Sequence, residues 1–186
     1  MRRNLISIWN LSDPIYFQCT RLTYIDDPDR GFKNIFRVRL TSYQGKPITL
    51  SDGTVINKHD KLIKIHLHNI RLINETKDIQ GEVRKARHIY KTVQASLPGL
   101  ADFLRAHKHH QQIKGVIGIT VLNHKLCRRL GFETFAISNF IYRWFKFIIF
   151  ISINKLAKDP SAQGKGKQEP KYLFMSKENL LNAYKE

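Results

Sequence analysis

The spacing of hydrophobic and polar positions changes period twice along the chain, and the changes mark out its elements. Near the start, Ser12, Asp13 and Pro14 form a helix start signal, a capping side chain before a proline at the first turn. Ile15, Cys19 and Leu22 then share one face. The Asp, Pro and Gly content predicts a loop over 26–31. From Ile35 the period is two: Phe36, Val38 and Leu40 alternate with Arg37, Arg39 and Thr41, the pattern of a half-buried strand with a basic outer face. A turn over 44–47 leads to short strands over 48–50 and 54–56, joined by Asp52-Gly53 as a hairpin turn. A further strand over 62–68 sets Ile63, Ile65 and Leu67 on one side and Lys64, His66 and His68 on the other. Together these predict an antiparallel β-meander over 34–69.

From 75 to 96 the spacing is helical, with Ile79, Val83, Ala86, Tyr90 and Val93 recurring by three and four and Arg84, Lys85, Arg87 and Lys91 opposite. Leu97-Pro98-Gly99 is expected to break this helix before another begins at Leu100. A β-branched strand follows over 116–122, then a short helix capped by Asn123 and closed by Gly131, then a strand over 132–137. Residues 140–156 are the most apolar part, and 159–170 has the composition of a flexible linker. A strand over 172–175 and a helix started by Ser176 and Glu178 close the chain. The expected class is α+β, one compact domain over 1–186. It comprises the meander, helices with two strands over 74–157, the linker, and a C-terminal strand and helix over 171–186.

Charge adds a statement about partners. The chain carries 32 Lys+Arg against 15 Asp+Glu, a net +17, and such a field attracts phosphate. The excess is uneven: residues 31–72 hold eight basic and two acidic side chains, and 100–158 hold ten and two. Cys19 and Cys127 are the only cysteines and have no paired spacing, which fits a reducing compartment. The apolar stretch after Arg2 and Arg3 ends at Asn10, short of the roughly 7–15 residues of a signal peptide core. The expected location is therefore the cytoplasm, peripheral on the inner face of the membrane.

Candidate chemistry is sparse. His66 and His68 share one strand face and are the candidate acid–base residues, since imidazole titrates near neutrality. Zinc normally takes three or four protein ligands; His59, Asp52 and Asp60 stand at no diagnostic interval, so no metal is expected. His107, Lys108, His109 and His110 read as a helix end. Gly115-Val116-Ile117-Gly118 has the outline of a backbone-clamping loop, but its apolar middle reads better as a strand. No Walker loop, GxGxxG or GxSxG occurs, and no cofactor is expected. The apolar run over 147–151 is too short to span a bilayer, which takes about 20 residues. The 140–156 segment is either a core helix or an interfacial one, touching lipid through Arg143, Trp144, Lys146 and Phe147.

Five stretches in this order resemble the YkoP family: IFRVRLTSYQGKPITLSDGTVI from Ile35, DKLIKIHLHN from Asp60, SLPGLADF from Ser96, GFETFAI from Gly131 and YLFMSKENLL from Tyr172. The likeness runs from about residue 9 to 184. The family consists of small bacterial proteins and of domains found beside polysaccharide deacetylases. The resemblance implies a setting in cell-envelope polysaccharide or glycolipid metabolism, with an envelope enzyme as a partner. It marks Arg37, Arg39, Asp52, Gly53, His66, His68 and Asn69. It does not imply deacetylation, because the Thr-Phe-Asp-Asp metal motif of those enzymes is missing.

The resulting expectation is an accessory protein at the cytoplasmic membrane surface. Arg37, Arg39, Lys64, His66, His68 and Asn69 would hold an anionic lipid or a phosphorylated glycan. Two other classes stay open: an RNA-binding protein using the same charge, and an enzyme using His66 or His68.

Overall fold

The computed structural model describes residues 22–25, 31, 33–120, 124–137 and 170–184. The predicted helix start at Ser12, the Asn123 cap, the 140–156 segment with Arg143, Trp144, Lys146 and Phe147, and all of the linker but Pro170 lie outside them.

The described residues form eight strands and four α-helices. The strands are β1 (Thr23–Tyr24), β2 (Phe36–Ser42), β3 (Ile48–Thr49), β4 (Val55–Ile56), β5 (Lys61–Leu67), β6 (Ile113–Thr120), β7 (Glu133–Ala136) and β8 (Lys171–Ser176). The helices are α1 (Asn69–Thr76), α2 (Glu82–Ala106), α3 (His124–Arg129) and α4 (Lys177–Ala183). Six strands make one sheet in the order β1-β2-β5-β6-β8-β7, and β3 and β4 make a separate pair. The arrangement is α+β.

The antiparallel pairing expected in the first half is present, with one difference. β2 pairs directly with β5 over its whole length, while β3–β4 stands apart as its own two-stranded sheet. The β5–β6 pair is parallel, and the other pairs in the sheet are antiparallel. A parallel pair needs a long crossover, and α1 and α2 supply it.

All four helices pack on one face of the sheet. There Phe36, Val38, Ile63, Ile65, Val116 and Met175 meet Leu72, Val93, Leu97, Leu100, Leu104, Cys127 and Leu180 in one buried core. Period-two strands and a period-3.6 helix turn their apolar sides to the same layer. On the other face the β3–β4 hairpin covers one end of the sheet. Leu50 and Ile56 pack there with Tyr43, Leu62, Ile117 and Phe174.

The hairpin turn is as its sequence requires. The Leu50 N–H donates to the Thr54 carbonyl at 2.9 Å, Asp52 Oδ1 accepts from the Thr54 N–H at 3.0 Å, and Gly53 takes φ +84°. A positive φ is cheap for glycine alone. The expected helix over 75–96 differs more. α1 ends at Thr76, Gly81 turns the chain at φ +86°, and α2 then runs unbroken through Pro98 to Ala106. An interior proline costs about 3 kcal/mol. Burial of Leu97, Leu100 and Leu104, each at roughly 1.5–3 kcal/mol, outweighs that. Gly131 closes α3 as expected: its N–H donates to Arg128 and the Phe132 N–H to Cys127, with Gly131 at φ +86°.

Candidate basic face of the sheet

Strand alternation determines which side chains face away from the helices. Side chains directly opposite each other in a ladder lie on the same face. Arg37 stands opposite His66, and Arg39 stands opposite Lys64. All four therefore share the face opposite the described helices, next to one another on two neighbouring strands. The register thus brings the four side chains together on one side of the β2–β5 pair.

Their exposure is less uniform than an outer face suggests. Arg37 is 3% exposed, whereas Arg39, Lys64, His66, His68 and Asn69 are half-buried. Tyr24 accounts for part of this. It pairs with Arg37 across β1–β2, and the Arg37 guanidinium lies 5.1 Å from the centre of its ring. At that distance the ring quadrupole attracts the cation. The His68 ring meets the same tyrosine, with centroids 5.9 Å apart and planes tilted by 59°.

His68 is held where strand becomes helix. Its N–H donates to the Ile35 carbonyl at 3.0 Å, extending the β2–β5 ladder, and its carbonyl accepts from the Leu72 N–H at 3.1 Å, opening α1. Asn69 is consequently the first residue of that helix and not a strand residue. The N-terminus of α1 adds the positive end of a helix dipole beside His66 and His68.

The same face is apolar on its other half. Lys64 stands beside Ile117, Ile117 opposite Phe174, and Phe174 opposite Glu133. Two residues further along β6, Ile119 stands opposite Tyr172, which stands opposite Phe135. The hairpin covers the first of these rows: Ile117 is 6% exposed and Phe174 fully buried. Ile119, Tyr172 and Phe135 in the second row are half-buried.

Two polar ties fix the hairpin over its end of the face. The Glu133 carboxylate accepts from the Ser51 N–H at 2.9 Å and from the Ser51 hydroxyl at 2.8 Å. The Ser176 hydroxyl donates to Asp52 and accepts from the Asn179 N–H at 3.0 Å, capping α4 as its sequence predicts. Burial pulls the Asp52 carboxyl upward, but the hydrogen bonds from Ser176 and Thr54 more than reverse this and leave it below the usual carboxylate range.

The remaining sequence candidates lie elsewhere. His59 sits at φ +73° in the turn before β5, and Asp60 is held by the Asn57 N–H at 2.6 Å and by Lys114 at 3.0 Å. Among the described residues no three His, Cys, Asp or Glu side chains gather as a metal site requires. His107 is the C-terminal cap of α2, as expected, and its Nδ1 accepts from the His109 N–H at 3.1 Å. Burial, then the charges of His109 and Lys108, push its imidazole pKa down. Gly115 and Gly118 lie within β6, as the strand reading requires. No described helix is long and apolar enough to cross a membrane.

Sequence reasoning missed Tyr24, Ile119, Tyr172 and Phe135 as part of this face. Tyr24 lies in a two-residue strand, too short to show a period. The other three were readable as strand residues, but the register that brings them beside the basic half was not.

The profile of the YkoP domain family matches residues 2–184. The chain is also 45% identical over 184 residues to a Bacillus subtilis (strain 168) protein described as "Uncharacterized protein YkoP", covering 99% of this chain and 98% of that one. No solved structure matches. A family match over nearly the whole length, with a relative this similar, places the chain in the YkoP domain family.

Proposed function

We propose that the chain is an accessory protein that binds a phosphate-bearing group on the basic half of the sheet face opposite its described helices. It would do so at the inner surface of the membrane, in the handling of envelope glycan or glycolipid. One observation carries the reading: Arg37 opposite His66 beside Arg39 opposite Lys64. Basic side chains gathered on two neighbouring strands concentrate a positive field that attracts phosphate. Arginine suits the role because its planar fork meets phosphate oxygens with two parallel hydrogen bonds. The half-buried Arg39, Lys64, His66 and His68 would meet the ligand, and buried Arg37 would add its charge from behind. The lipid contact assigned to Arg143, Trp144, Lys146 and Phe147 rests on sequence alone.

Flotation with vesicles of anionic or of neutral lipid tests the reading. Binding should need anionic lipid, weaken as salt rises, and fall in Arg39→Ala and Lys64→Ala. Equal binding to neutral vesicles, or none to either, would overturn it. Tyr24, 42% exposed and stacked on Arg37, is the kind of platform on which a nucleic-acid base can stack. A gel shift with single-stranded RNA at physiological salt, without vesicle binding, would replace the lipid reading by a nucleic-acid one. Turnover of a phosphorylated glycan lost in His66→Ala would instead make the site catalytic.

A further inference from the structure

α2 is unevenly packed along its length. From Val93 onward it buries Val93, Leu97, Leu100 and Leu104 in the core, whereas Val83, Arg84, Arg87 and Lys91 in its first half are exposed. A helix turns about 100° and rises ~1.5 Å per residue, so Arg84, Arg87 and Lys91 fall within about 60° of its circumference along ~10 Å. Among the described residues none of these three side chains is hydrogen-bonded or ion-paired. Arg71 on α1 and Arg105 at the far end of α2 differ in this respect: Glu75 and Asp102 hold them, each at 2.5 Å. Val83 stands one turn before Arg87 and is 83% exposed, the highest of any large hydrophobic side chain among the described residues.

We infer that this flank of α2 docks the protein on an anionic bilayer, with its three cations on lipid phosphates and Val83 in the headgroup layer. The inference rests on the membrane setting proposed above and assigns the bilayer contact to a surface separate from the β2–β5 pair. Charge complementarity carries it: basic side chains near an anionic leaflet are drawn to it, and the arginine fork fits phosphate oxygens. The apolar stripe of α2 is already used in the core, so the helix cannot sink into lipid as a free interfacial helix does. It meets the surface side-on instead, and Val83 is the one large apolar side chain placed to enter it. A single strand of nucleic acid would call for aromatic platforms, and this flank carries no exposed aromatic among the described residues.

Co-sedimentation of the full chain with vesicles of equal parts phosphatidylglycerol and phosphatidylcholine, and with phosphatidylcholine alone, decides the matter. Arg84→Gln, Arg87→Gln and Lys91→Gln together should lower partitioning onto the anionic vesicles roughly a hundredfold, since each basic side chain at such a surface contributes about a fivefold change. Arg87→Gln alone should lower it about fivefold, and Val83→Ser roughly twofold. Glutamine is a good helix former and the three positions are exposed, so the variants should melt with the parent. Arg39→Ala, measured beside them, separates the two surfaces. Undiminished partitioning in the triple variant with a loss in Arg39→Ala would overturn the α2 flank and leave the β2–β5 reading standing. A loss in the triple variant, with or without one in Arg39→Ala, supports the flank. No binding of the parent to the anionic vesicles, or equal binding to both kinds, would remove the flank and the membrane setting together. Binding of single-stranded RNA that the triple variant loses, without vesicle binding, would replace the bilayer by nucleic acid.

Discussion

The Asn34 carboxamide donates to the Ser96 carbonyl at 2.9 Å, joining the start of β2 to the middle of α2 across 62 positions of sequence. The pair is buried and doubly tied, for the Ser96 hydroxyl accepts from the Ile35 N–H at 3.1 Å and Asn34 Oδ1 accepts from the Phe36 N–H at 2.9 Å. It therefore fixes the strand that carries Arg37 and Arg39 against the longest helix. Removing one partner of a buried hydrogen bond costs about 1–3 kcal/mol. Asn34→Ala, which leaves two backbone groups without it, should fall in the upper part of that range and Ser96→Ala in the lower. Urea midpoints at constant slope measure both.

The Glu75 carboxylate should support folding in a definite pH window. Burial draws its pKa upward, but hydrogen bonds and charge from Arg71, at 2.5 Å, and from His88, at 3.3 Å, more than reverse this and leave it lowered. A lowered folded pKa means that the contribution is complete above the unfolded value and is lost as pH falls through the folded one. Glu75→Gln should be less stable than the parent at neutral pH, and the gap should close in acid. A gap independent of pH would contradict the assignment.

Two glycines of β6 should respond very differently to a methyl group. A Cβ at Gly115 would lie 2.4 Å from the Met175 carbonyl oxygen, a backbone atom of the central strand β8. At Gly118 it would lie 3.0 Å from Ile65 Cγ1, a side-chain atom that need give by only a few tenths of an ångström. Overpacking typically costs about 1–3 kcal/mol. Gly115→Ala should reach or exceed the upper figure, and Gly118→Ala should stay near the lower. Thermal melts of the two variants give the comparison.

Tyr24 should matter through the contact of its ring with Arg37. An exposed cation–π contact contributes about 0.5–1 kcal/mol and a desolvated one about 2. With Arg37 3% exposed beneath the ring, Tyr24→Ala should cost an amount between these. Denaturant unfolding measures it; an unchanged midpoint would contradict the contact.

The face was legible in the sequence as far as local period could carry it. Alternation placed Arg37 and Arg39 on one side of β2 and Lys64 and His66 on one side of β5, and the capping chemistry of Ser176 and the turn at Gly53 read correctly. Pro98 misled because its local penalty was weighed without the burial of Leu97, Leu100 and Leu104. The two-part character of the face was out of reach for another reason. It depends on β5 lying beside β6 in parallel, a pairing between segments some 50 residues apart that no local pattern encodes.

The position of β8 imposes an order on assembly. It lies between β6 and β7, and among the described residues β7 pairs with β8 alone. As the ribosome releases the chain, residues 133–136 emerge well before the strand that holds them in the sheet. Tyr172 emerges with that later strand, so the apolar half of the face is completed only once residues 171–176 are made. A chain ending at residue 169 should accordingly leave the amides of 133–136 open to hydrogen exchange while the β2–β5 ladder, made wholly from earlier residues, keeps its protection.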